Sequence, residues 1–136
     1  MNKKLIVYFS YTNNTKTIAE LIQKKLNCDI LRIETKVPYS NDYQTVVDDE
    51  QNSEASNHIP EIKDININLD EYDTIILGTP VWWYRPCPAI RAFLTKYDLS
   101  NKTIIPFATN AGWLGRTFKE IETLANKSTI KNEKNI

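Results

Sequence analysis

A single α/β domain built on a parallel sheet is the fold class this sequence predicts, and three observations predict it. Residues 5–9 (Leu5-Ile6-Val7-Tyr8-Phe9), 74–78 and 103–108 are apolar without alternation, the pattern of strands buried on both faces. Each is followed by apolar residues at helical spacing, and strand–helix alternation with right-handed crossovers builds a parallel sheet. The loops after these strands, 10–15, 79–88 and 109–115, are rich in hydroxyls, amides or aromatics. They leave from the carboxyl edge of the sheet, where open α/β folds bind ligands. At ~100–200 residues per domain, the 136 residues are expected to form one domain over 1–136.

The elements follow in order. Ile18, Leu21, Ile22 and Leu26 predict an amphipathic helix over 15–26, with Asn14 as its N-cap. Residues 29–34 mix Ile30, Leu31 and Ile33 with charge, which suits an edge strand. Pro38 and Ser40 start an expected helix that carries Tyr43, Val46 and Val47 and fades by Asn52. Residues 58–70 read as loop, pinned down by Ile62, Ile65, Ile67 and Leu69. Ile90, Phe93, Leu94 and Tyr97 predict a helix over 88–98. Pro106 is awkward in the third buried strand, because it removes a ladder donor. Leu114, Phe118, Ile121 and Leu124 mark the last helix, and the tail offers at most a short strand at 128–133.

Composition excludes several classes of function. Hydrophobic residues make up 41% and charged residues 25%, ordinary globular values. The longest purely apolar run, 5–9, is far short of the ~20 residues of a membrane helix, so no membrane span is expected. It is also shorter than a signal-peptide core, and a cytoplasmic protein is expected. Cys28 and Cys87 form no C-x-x-C and read as free thiols. With His58 they make no zinc site. His58 lies in the polar tract 51–58 and reads as a solvated loop residue, which argues against a hydrolase triad. The net charge of zero divides into +4 over 1–41, −9 over 42–73 and +5 over 74–136. No basic stripe is interleaved with aromatics, so no nucleic-acid partner is expected. The acidic block reads as a solvated face.

Ser10-Tyr11-Thr12-Asn13-Asn14-Thr15 joins a buried strand to a helix. A helix N-terminus offers free N–H groups and partial positive charge, and Ser10, Thr12, Thr15 and Thr17 can add hydroxyl donors. The loop has no Lys or Arg. This composition fits a buried phosphate monoester held by dipoles, and it also fits an ordinary Asn-capped turn. The nucleotide-binding patterns G-x-x-x-x-G-K-[ST] and G-x-G-x-x-G are absent.

The same segment resembles the flavodoxin family's phosphate loop, S/T-x-T-G-x-T. Ser10, Thr12 and Thr15 match, and Asn13 stands where the family most often has Gly. Asn is the non-Gly residue that best tolerates left-handed backbone, so the loop shape is expected to survive. Glu71 through Trp83, ending Thr79-Pro80-Val81-Trp82-Trp83, resembles the third-strand block of a subfamily with a P-x-W-W loop. Residues 97–107 resemble that subfamily's entry into the fourth strand, including its Pro. The resemblance covers nearly the whole chain. It implies a flavodoxin-like doubly wound sheet in order 2-1-3-4-5, with the fifth strand short or absent and the fifth helix missing.

The resemblance also implies FMN, held between three loops: Ser10, Tyr11, Thr12, Asn13, Asn14 and Thr15; then Thr79, Pro80, Val81, Trp82, Trp83 and Tyr84; then Thr109, Asn110, Ala111, Gly112, Trp113 and Gly115. Trp82 or Trp83 would border the flavin, backbone groups of 110–115 would meet its pyrimidine edge, and Trp113 would cover the ring or cap the helix. Cys87 reads as structural. The leading function is an FMN-binding electron-transfer protein with redox partner proteins. An NAD(P)H-dependent FMN reductase of quinones or flavins is the alternative, and a flavin-free interaction domain on the same fold is a third. Two features favour a two-electron flavin. Residues 81–86 lack the glycine whose peptide flips beside the ring in family shuttles, and Arg85 would stabilise an anionic reduced ring. The missing fifth helix would bare an apolar face, which predicts a homodimer or a partner surface there.

Overall fold

The structure, a computed structural model, describes residues 3–11, 13–37, 45, 60–82, 85–109 and 115–135. Its elements are β1 (Lys4–Tyr8), α1 (Asn14–Leu26), β2 (Asp29–Arg32), a single 3-10 turn at Leu69–Glu71, β3 (Thr74–Trp82), β4 (Arg85–Pro86), α2 (Pro88–Lys96), β5 (Thr103–Thr109), α3 (Thr117–Leu124), β6 (Thr129–Ile130) and β7 (Lys134–Asn135). The strands lie in the order β2-β1-β3-β5-β6, with β7 also on β5 and β4 folded back on β3. Among the described strands every pairing is parallel except β3 with β4, and an isolated antiparallel bridge joins Thr35 to Ile62. With β5 counted as the fourth strand and the β6/β7 edge as the fifth, this is the expected 2-1-3-4-5 order.

Alternation along the central strands feeds two cores. Leu5, Val7, Ile75, Leu77 and Ile104 pack with Ile90, Phe93 and Leu94 of α2 and Ile121 of α3. Ile6, Tyr8, Ile76 and Phe107 face the other way, against Ile18, Ala19 and Ile22 of α1. Each fully buried aliphatic or aromatic side chain contributes about 1.5–3 kcal/mol. The second face is thus sealed over Ile6, Tyr8, Ile76 and Phe107, while Leu21 and Leu26 of α1 are 56% and 49% exposed. Among the described residues no helix is long and apolar enough to cross a membrane.

Three boundaries differ from the sequence-based expectation. Asn13, not Asn14, is the N-cap of α1, at φ 70°. β3 does not stop at Gly78: it pairs with β5 as far as Pro80–Thr109, then turns back so that Trp82 faces Arg85. The residues read as loop from 79 are therefore half strand, because two neighbours supply ladder partners that the local sequence cannot reveal. The third difference lies at the edge strand, which breaks into β6 and β7 opposite Pro106. Ile104 accepts from the Lys131 N–H at 3.1 Å. By the two-residue alternation of a strand, Pro106 presents its nitrogen to the same side and has no hydrogen to donate. Three residues, 131–133, then span the two between Ile104 and Phe107, and Asn132 takes φ 57° to absorb the extra one.

Of the helix expected near 40–52, only Thr45 lies among the described residues, and it is helical and exposed. Ile62 is buried, and Ile65, Ile67 and Leu69 pack against the first core, as expected of a pinned loop.

Buried Tyr72 ties the amino edge of the sheet to β2. Its hydroxyl donates to Asp29 Oδ2 at 2.5 Å, and that bond, together with burial, pushes the phenol up to about 12. Below pH ~10 the phenol is neutral in both folded and unfolded chains, and its contribution is complete. Above that, the unfolded chain ionises first. Stability should therefore fall between pH ~10 and 12, and Tyr72→Phe should flatten that fall. Urea unfolding of both proteins from pH 8 to 11.5 measures it; identical alkaline slopes would remove Tyr72 from the account.

Candidate functional site

The carboxyl edge of the sheet gathers the described parts of all three expected loops. The first leaves β1 at Phe9, whose N–H donates to the Gly78 carbonyl at 3.2 Å and so keeps the chain in the sheet one residue past the strand. Ser10 is next, only 3% exposed. Its Oγ is buried without a hydrogen-bond partner, the one such side-chain atom among the described residues. An unpartnered buried hydroxyl costs about 1–3 kcal/mol, so a native chain carries one where another group completes it.

Asn13 supplies the left-handed corner that the family usually gives to Gly, and its side chain makes no capping bond to α1. Its carbonyl instead accepts from the Thr17 N–H at 3.0 Å and from Thr17 Oγ1 at 2.8 Å. The first turn of α1 contains no acidic residue. Helix N–H groups at this end keep their partial positive charge, with neither a side-chain cap from Asn13 nor a carboxylate to offset it.

The loops touch one another at two points. Thr15, 1% exposed, shares a hydrogen bond with Thr109 at the end of β5, Oγ1 to Oγ1 at 2.8 Å. Trp82 meets Phe9 and Tyr11 edge-on, with ring centroids 5.9 and 6.1 Å apart. A residue at the start of α1 thus meets the third loop, and an aromatic of the second loop meets the first.

Other expected site residues are placed differently. The Thr79 hydroxyl is fully buried and used internally, donating to the Pro80 carbonyl at 2.8 Å and accepting from the Cys87 N–H at 3.0 Å. Pro80 and Val81 are half-buried along the end of β3. Asn14 is exposed at the start of α1. Gly115 adopts φ 61°, the left-handed region that glycine occupies without strain. Thr12, Trp83, Tyr84, Asn110, Ala111, Gly112 and Trp113 lie outside the described residues. Cys87 has no exposed surface and stands at the N-cap of α2.

Arg85, read in the sequence as a cation beside the aromatic loop, is engaged elsewhere. Its Nε donates to both oxygens of Glu120 in α3, at 2.8 and 3.0 Å. Arg91, 2% exposed, brings its Nε to 3.8 Å from the same carboxylate and donates to the Pro86 carbonyl at 3.1 Å. One carboxylate therefore ties the β3–β4 hairpin and α2 to α3. Arg85 is therefore held toward α3, where it shares a single counter-charge with Arg91.

Sequence reading also missed Arg32. It lies at the end of β2, 22 residues from the loop, and donates through Nη2 to the Ser10 carbonyl at 2.8 Å. Its guanidinium lies 5.9 Å from the Tyr8 ring centroid. Only the parallel pairing of β2 with β1, Tyr8 opposite Arg32, brings this cation to the loop.

Comparison with known proteins agrees with this geometry. A family model described as Flavodoxin matches residues 3–136. No curated protein matches the chain. Among solved structures, a flavoprotein from Lactobacillus acidophilus in complex with FMN superposes with a TM-score of 0.87 at 24% identity, covering 99% of this chain and 93% of that one. Two Bacteroides proteins described as flavoproteins are similar as well. The one from Bacteroides uniformis has a TM-score of 0.87 at 27% identity, over 98% of this chain and 89% of its own. The one from Bacteroides eggerthii has a TM-score of 0.86 at 26% identity, over 100% and 89%.

Proposed function

Because the chain belongs to the flavodoxin family, we propose that it binds FMN at the carboxyl edge of its sheet and works as an electron-transfer protein. The single observation that carries this reading is the buried, unpartnered Ser10 Oγ in the loop before α1. A phosphate oxygen would complete it. Thr15 and the open first turn of α1 lie in the same loop, and Asn13 keeps the corner that lets the loop turn. Trp82, held edge-on by Phe9 and Tyr11, borders the place a flat ring would take. When bound, FMN supplies reversible uptake of electrons; the chain's part is to bind the phosphate, orient the ring and shield one side of it. Redox proteins are then its partners, in place of a small-molecule substrate.

Ser10→Ala tests the reading in two directions at once. Removing an unsatisfied buried hydroxyl should raise the stability of the FMN-free protein by ~1 kcal/mol. It should also weaken FMN about tenfold, the worth of one hydrogen bond to a charged group. Urea unfolding without flavin and fluorescence titration with FMN give the two numbers. Loss of stability with unchanged FMN affinity would contradict the assignment. Oxidation of NADPH with a quinone, without added reductase, would move the protein to the reductases.

A further inference from the structure

We infer that Arg32 is a specificity-determining residue for the phosphate of the flavin: it supplies the fixed positive charge that the loop's own sequence lacks, and it makes the site favour FMN over riboflavin. The inference rests on the FMN reading above and extends it to a residue outside the loop.

Three observations carry it. The first is position. Arg32 Nη2 lies 2.8 Å from the carbonyl of Ser10, the residue whose hydroxyl is buried and unpartnered. The second is donor count. A guanidinium has five N–H donors in a planar fork suited to phosphate oxygens. Among the described residues one of them is used on Ser10 and another on the Tyr8 hydroxyl, which leaves donors in the fork, and the side chain is exposed. The third is the electrostatic setting. No acidic residue stands in the first turn of α1, and Arg32 makes no ion pair among the described residues. Its cation therefore adds to the partial charge of the helix end.

The bond to Ser10 has a second effect. A trans peptide is planar, with carbonyl and N–H on opposite sides. Fixing the Ser10 carbonyl toward Arg32 fixes the Tyr11 N–H to point away from it. Arg32 thus sets the orientation of the first peptide of the loop as well as its charge. Lysine could restore the charge but not the planar fork.

The test uses the full chain and its variants R32Q and R32K, each titrated with FMN and with riboflavin by fluorescence quenching at low and high salt. R32Q should lose about tenfold in FMN affinity, with riboflavin affinity unchanged. R32K should fall between R32Q and the parent protein. The parent's FMN affinity should drop with salt more steeply than that of R32Q. Equal losses for both flavins would reduce Arg32 to a structural strap and overturn the inference, as would unchanged FMN affinity. If R32Q does not fold, R32K decides: it must lose more for FMN than for riboflavin. A parent protein that binds no FMN would instead remove the functional reading itself, and the inference with it.

Discussion

Replacing Glu120 by alanine is expected to destabilise the protein by ~2–3 kcal/mol, among the largest effects of any single side chain outside the apolar core. The carboxylate is 16% exposed, accepts two bonds from Arg85, which is 17% exposed, and lies beside Arg91, which is 2% exposed. Removing the shared anion withdraws two hydrogen bonds from Arg85 and a counter-charge 3.8 Å from buried Arg91, where water cannot replace it. Glu120→Gln keeps the shape and one acceptor, so it should cost less. The loss should appear as a lower urea midpoint with an unchanged slope. Because Glu120 ties the hairpin carrying Trp82 to α3, the alanine variant should also bind FMN more weakly than the glutamine variant. A change below about 0.5 kcal/mol, typical of an exposed pair, would mean the network adds nothing to folding.

Gly78→Ala is the second large effect. Gly78 lies opposite Phe107 in the β3–β5 ladder. A Cβ added there would lie 2.3 Å from Phe107 Cζ and within 3 Å of both Cε atoms. Phe107 is itself held among Ile6, Tyr8 and Ile76, so its ring has little room to withdraw. Overpacking of this kind costs ~1–3 kcal/mol. The double variant Gly78→Ala with Phe107→Leu should recover part of that loss, giving a favourable coupling energy in a double-mutant cycle. Simple additivity of the two single losses would show that the close approach is not the cause.

Much of this architecture is legible in the sequence, for a definite reason. Runs such as 5–9 and 74–78 are apolar at consecutive positions, and only a strand covered on both faces accommodates that. The helical spacing of Ile18 and Ile22, or of Ile90, Phe93 and Leu94, reports burial that the structure then confirms. Asn13 could be read as a left-handed corner because few other residues tolerate one, and it sits at φ 70°. What escaped the sequence depends on partners distant along the chain. The continuation of β3 through Trp82 needs β5 on one side and β4 on the other. Gly78 looks like an ordinary strand end until Phe107 is set against it. Pro106 was recognisable as a ladder defect, but its consequence, the division of the edge strand, falls on residues 131–133. In the candidate site, the hydroxyl-rich loop and the aromatic run could be read locally. Arg32 could not, because nothing near it in sequence ties it to Ser10. The capture of Arg85 by Glu120, 35 residues away, was equally invisible.

The central claim is that residues 10–15 form a phosphate site, and the most direct test is the affinity ratio of FMN to riboflavin in the full-length protein. The two ligands share the ring and differ in the phosphate, so the ratio isolates the loop. Titration of flavin-free protein, followed by quenching of flavin fluorescence, should give FMN at least about tenfold tighter than riboflavin, the equivalent of one charge-assisted hydrogen bond. FMN absorbance should also persist through gel filtration. Equal affinity for the two flavins, or tighter binding of riboflavin, would contradict the account.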